Sequence, residues 1–112
     1  MARDVIWEPV ENIEGLEWFD NFEVSNTGSV RNKKTGTRLA QSGTSTGFKR
    51  VVLSQKGKTK SIFVHDLVAR AFFDGVDEYC VVYHIDNDGC NNDVSNLCLR
   101  RDPDARRKNM GV

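Results

Sequence analysis

The sequence predicts an α+β fold: small antiparallel hairpins with one packing helix, followed by a strand, loop, strand and helix unit. Three observations carry this. Alternating apolar and polar residues punctuated by Asn and Gly run through the first half, as half-buried strands do. Apolar residues recur at helical spacing in one place only, after His65. Beyond it, two short apolar runs flank a polar loop rich in Asn and Asp. At 112 residues the chain is long enough for one domain or for two very small lobes sharing a core.

Val5-Ile6-Trp7, with Ile13-Glu14-Gly15, reads as a short strand and turn. Phe22-Glu23-Val24-Ser25 alternates as a strand, and Asn26-Thr27-Gly28 turns the chain toward Ser29-Val30-Arg31. A second turn at Lys33-Lys34-Thr35-Gly36 precedes Arg38-Leu39, and residues 42–47, rich in Ser, Thr and Gly, read as a flexible loop. Residues 48–54 and 61–64 form strands around a turn centred on Gly57. In the second strand Ile62 and Val64 are expected on one face, with Ser61 and Phe63 on the other. Leu67, Val68, Ala71 and Phe72 then form one stripe of a helix that Asp74-Gly75 ends. Residues 80–84 and 96–99 are strands. Asp102-Pro103-Asp104 opens a last helix through Asn109, with an N-cap acid and a proline in the first turn.

Composition narrows the class of function. Hydrophobic residues make up 38% and charged residues 29%, as in a soluble globular protein. No apolar run approaches the roughly 20 residues that cross a bilayer, and residues 1–5 lack the apolar core of a secretory signal. No membrane partner and a cytoplasmic location are therefore expected, with the virion as the alternative for a structural role. Cys80, Cys90 and Cys98 are odd in number without a C-x-x-C pair, so reduced thiols are expected.

The net charge is zero, but its distribution is uneven: −6 over residues 1–30, +9 over 31–60, −6 over 61–99 and +3 over 100–112. The basic block holds Arg31, Lys33, Lys34, Arg38, Lys49, Arg50, Lys56, Lys58 and Lys60 without one acid. Such a block can follow a phosphate backbone and release its counterions, so DNA is the expected partner. An acidic surface on a phage or host protein is the alternative.

The segment from Tyr83 to Leu97, YHIDNDGCNNDVSNL, resembles the HNH, or ββα-metal, signature of phage and intron homing endonucleases. Residues 64–72, VHDLVARAF, resemble the helix that precedes it. Trp7, Ile13, Gly15, FEVSN at 22–26 and GSVR at 28–31 resemble the NUMOD-type module of the same enzymes. The resemblance implies a NUMOD-like β-rich module over residues 1–60 and an HNH-like unit over 61–112, sharing one compact fold. It makes His84 the general base that activates water against a phosphodiester, a task suited to an imidazole. It makes Asn96 the residue that ties the loop and orients His84, with Asn91 and Asn92 doing similar loop work. His65, at the helix start, reads as structural. A divalent metal, Mg²⁺, is implied for an active member.

Two departures bear on activity. The family commonly has Asp or Asn as a metal ligand just before the histidine, where this chain has Tyr83. Its second ligand, Asn or His on the final helix, falls at Ala105. A methyl group cannot coordinate Mg²⁺ and a neutral phenol suits so hard a cation poorly. Asp104 and Asp86 are the remaining candidate ligands. The sequence also ends at Val112, whereas family members often continue into a further DNA-reading segment. The expectation is an HNH-type protein with eroded metal ligands, retained for binding DNA or a protein, with a phage structural or accessory role. An active metal-dependent nickase is the alternative, and an unrelated α+β binding module the third reading.

Overall fold

In the computed structural model, residues 4–45, 47–77 and 79–102 are described. Three antiparallel sheets surround one helix. The first sheet joins β1 (Trp7–Pro9), β2 (Phe22–Ser25) and β3 (Val30–Asn32), in that order. The second joins β4 (Ser42–Gly43), β5 (Lys49–Gln55) and β6 (Lys58–Phe63); helix α1 (Val64–Phe72) follows without a break. The third pairs β7 (Cys80–His84) with β8 (Leu97–Arg101), His84 facing Leu97 in register. The expected last helix, with Asp104 and Ala105, lies outside the described residues.

The β5–β6 hairpin follows from local turn chemistry. Gln55 pairs with Lys58 across a two-residue turn in which Lys56 (φ 49°) and Gly57 (φ 82°) are both left-handed. That backbone twist matches the twist of the two strands, and Gly57 adopts it without a Cβ clash. On one face of β5, Val51 and Leu53 are buried; Val52 on the other is half exposed. Alternation thus separates core from surface as the sequence implied.

Boundaries differ from expectation at several places: β1 begins at Trp7 rather than Val5, and β6 at Lys58 rather than residue 61. Val64 opens α1 instead of ending β6, because its side chain is fully buried with Leu67, Val68 and Ala69 on the inner face of the helix. The Ser- and Thr-rich stretch is part strand: Ser42 and Gly43 pair with Arg50 and Lys49 before the turn. Asn96 belongs to a 3₁₀ turn, Val94–Asn96, so β8 starts one residue later.

The core draws on all three sheets and the helix. Val10, Ile13, Leu16, Phe19, Val24, Val30, Val51, Leu53, Leu67, Val68 and Leu97 form one buried cluster, with Ala71 and Phe72 packed partly against it. Residues on either side of position 60 therefore share a single apolar interior. Among the described residues, no helix is long and apolar enough to cross a membrane.

Leu53→Ala should cost about 2–5 kcal/mol in urea denaturation, because a fully buried side chain leaves a cavity. Val52→Ala, one residue away on the open face, should stay within about 0.5 kcal/mol.

Candidate active site

His84 ends β7 and is 8% exposed. Its Nε2 lies 2.7 Å from Oδ1 of Asn92, which is 4% exposed. With an amide oxygen facing the ring, this bond forms only when Nε2 carries a proton; in the neutral ring that leaves Nδ1 as the lone-pair nitrogen. The Asn92 Nδ2 is buried and has no hydrogen-bond partner among the described residues.

Aromatic rings seat the imidazole. Phe48 stacks on His84 with centroids 5.7 Å apart, and His65 meets it edge-on at 5.0 Å. Phe63 in turn stacks on His65 at 5.1 Å. The junction of β6 and α1 delivers Phe63 and His65, and the residue before β5 delivers Phe48. Burial holds the His65 pKa down at about 4, helped by the neighbouring His84 and opposed by Asp66. His65 is neutral across the physiological range, as befits a ring packed among rings.

The loop from Ile85 to Val94 is built on Asp86 and Asn96. Asn96 Nδ2 donates to Asp86 Oδ1 and to the Asn91 carbonyl, both at 2.9 Å, and its Oδ1 accepts from the Asp86 amide. Asp86 also accepts from the Asp88 amide (2.8 Å) and from Asn91 Nδ2 (2.9 Å). These bonds, the one from Asn91 foremost, hold the Asp86 carboxyl below its ordinary value. Sequence reasoning gives the orienting role to Asn96 and general loop work to Asn92. In the structure Asn92 touches the imidazole, and Asn96 shapes the loop that carries it.

The metal-holding positions look different. Tyr83 points away from His84, 43% exposed, with the Arg100 guanidinium 5.5 Å from its ring centroid. Both Asp86 oxygens accept hydrogen bonds from the loop. Among the described residues, no three His, Cys, Asp or Glu side chains form a group able to hold a metal ion. Cys80, Cys90 and Cys98 form no disulfide among the described residues.

The basic block divides between two sheets. Arg31 lies 3.8 Å over the Trp7 ring and pairs with Glu23 at 2.6 Å; Lys33 pairs with Glu11. Arg38 reaches Ser29 Oγ and the edge of the same tryptophan. On the second sheet, Lys58 sits over Trp18 and Arg50 over Phe63. Lys34, Lys49, Lys56 and Lys60 form no ion pair among the described residues. The grouping of Phe48, Phe63 and His65 has no signature along the sequence, because only the fold gathers positions 48, 63, 65 and 84. The one local hint is a pair of aromatic rings, Phe63 and His65, flanking a helix start.

His65 yields a pH test. Its folded pKa is below the unfolded value of about 6.5, so the unfolded chain binds more protons between the two. Stability then rises with pH across that window and is lost as pH falls from about 6.5 toward 4. Urea titrations at stepped pH should show this loss in the wild type, and His65→Phe should remove it from that interval.

Comparison with known proteins agrees with the geometry. A family model described as the NUMOD4 motif matches residues 6–54. The chain is 42% identical over 79 residues to an uncharacterised HNH endonuclease, L245, of Acanthamoeba polyphaga mimivirus, covering 70% of this chain and 24% of that protein. It is 37% identical over 91 residues to DNA endonuclease I-HmuI of Bacillus phage SP01, covering 81% of this chain and 49% of that protein. A solved structure of the HNH homing endonuclease I-HmuI, concerned with DNA binding and cleavage by that enzyme, matches with a TM-score of 0.72 at 33% identity. The match covers 95% of this chain and 56% of that one. The chain thus spans about half the length of I-HmuI, and less of the mimivirus protein. Motif, sequence and fold agree in one order along the backbone: the chain belongs to the HNH homing endonuclease family and carries a NUMOD module.

Proposed function

We propose that this protein binds DNA as an HNH-type endonuclease relative that keeps the histidine scaffold but has lost the side chains that would hold its metal. The observation that carries this reading is the outward Tyr83. The phenol stands where the family resemblance expects a cation-holding carboxylate or amide, and it packs with Arg100 instead. The side chain of Ala105, at the other expected ligand position, has no atom to offer a cation.

DNA affinity rests on the β4–β5–β6 sheet. Lys49, Lys56 and Lys60 form no ion pair among the described residues, and Arg50 extends the charge toward the rings around His84. The cations of the first sheet contribute less, because Glu23 and Glu11 already neutralise Arg31 and Lys33. Each phosphate that is neutralised releases counterions, so affinity falls steeply with salt.

A second reading, metal-dependent nicking, has one observation in its favour: the His84 imidazole is held with Nδ1 free to take a proton. Its metal would be a divalent cation such as Mg²⁺, with Asp104 or a rearranged loop supplying ligands.

Supercoiled plasmid incubated with Mg²⁺ or Mn²⁺ separates the two. The wild type should leave it intact, and Tyr83→Asp combined with Ala105→Asn should produce nicks that vanish when His84→Ala is added. Nicking by the wild type that is abolished in His84→Ala alone would sink the binding-only reading. Separately, charge reversal at Lys49, Lys56 and Lys60 should weaken duplex binding at low salt. The salt slope should become shallower by about 0.9 for every phosphate that is no longer neutralised. Binding that ignores salt would point to a protein surface as partner.

A further inference from the structure

We propose that Gly28, in the turn between β2 and β3, is a positioning residue for His84, acting through Asn92. The inference rests on the reading of His84 as the inherited reactive imidazole, and it gives the N-terminal sheet a task besides contact with DNA.

Asn92 needs outside support. It offers Oδ1 to His84 Nε2, but its Nδ2 finds no partner among the described residues, so hydrogen bonding there leaves the other end of the amide unfastened. What fixes the residue is close packing. A Cβ built on Gly28 would lie 2.9 Å from the Asn92 Cβ, 3.0 Å from its carbonyl oxygen and 3.1 Å from its carbonyl carbon. Two of these atoms are backbone and cannot swing aside. Gly28 thus presses its bare Cα face against the residue that bonds the imidazole.

The same turn also grips the loop by a hydrogen bond. The Val94 amide donates to the Asn26 carbonyl at 2.8 Å, two residues from Asn92 on the loop and two from Gly28 on the turn. Asn92 is therefore bracketed by a packing contact and a backbone bond from one short segment. A side chain at position 28 would push Asn92 outward and lengthen its 2.7 Å bond to Nε2. Without that bond, nothing on Asn92 selects the Nε2-protonated ring.

Gly28 has φ +92°, so an alanine there is strained whatever it touches, and the test must separate strain from contact. Gly15 supplies the control: its φ is +89°, and a Cβ there meets nothing within 4 Å. The readout is the pair of ring ¹⁵N chemical shifts of His84 at about pH 8.5, where imidazoles are neutral. In the wild type the two shifts should be well separated, with Nε2 protonated. Gly28→Ala should reduce the separation by roughly half or more as both tautomers become populated, while Gly15→Ala leaves it in place. In an Asn92→Ala background, Gly28→Ala should add nothing further.

Equal effects from Gly28→Ala and Gly15→Ala, or an additive effect in the Asn92→Ala background, would overturn the proposal. Should Gly28→Ala not fold, hydrogen exchange in the wild type decides: the Val94 amide should exchange as slowly as the paired Val24 amide. Exchange at the rate of an open loop would show that the turn does not hold this segment. Neither readout requires cleavage, so a failed plasmid assay leaves this inference standing, and a failed tautomer test leaves the DNA-binding reading standing.

Discussion

Asn26 is 3% exposed, and its polar groups all have partners. Its amide donates to the Ile6 carbonyl, its Oδ1 accepts from the Ile6 amide, and its Nδ2 donates to the Asp4 carbonyl. Its own carbonyl accepts from Val94. A buried amide left unbonded costs about 1–3 kcal/mol, so the residue constrains everything it touches. The N-terminal strand, the β2–β3 turn and the loop after β7 must meet at one point. Around that point the site takes shape: Asn92 is set within reach of His84, and Leu97 enters the core as the loop closes.

The cations obey a related constraint. A +9 segment flanked by two acidic ones neutralises itself wherever the fold brings opposite charges together. Glu23 and Glu11 reach Arg31 and Lys33 because β2 pairs with β3 and a 3₁₀ turn at Val10–Asn12, which carries Glu11, lies beside them. On the hairpin of β5 and β6, Lys58 finds an aromatic face in Trp18 rather than a carboxylate. The charge that remains for a partner is therefore set by topology, and a count along the sequence overstates it.

What is legible in the sequence is local. The turn centred on Gly57, the strand at Phe22–Ser25 and the helical stripe each depend on residues within a few positions of one another, and each appears in the fold. The start of α1 is not legible, because a buried Val at a strand end and a buried Val at a helix start have the same pattern; the core decides between them. The roles of Asn92 and Asn96 are inseparable for a similar reason. Both are asparagines in one polar loop, and only the loop's path shows which amide meets the ring. The seat made by Phe48, Phe63 and His65 is invisible, since it joins residues up to 36 positions apart.

The placement of Leu97 also sets a schedule. Synthesis runs from the N-terminus, and the first two sheets with α1 are complete by Phe72, yet the apolar cluster they form still lacks a member from β8. Until that strand leaves the ribosome, the inner surface of the helix stays partly bare and the histidine has no strand beside it. The strand that completes the interior and flanks His84 therefore emerges after everything it closes.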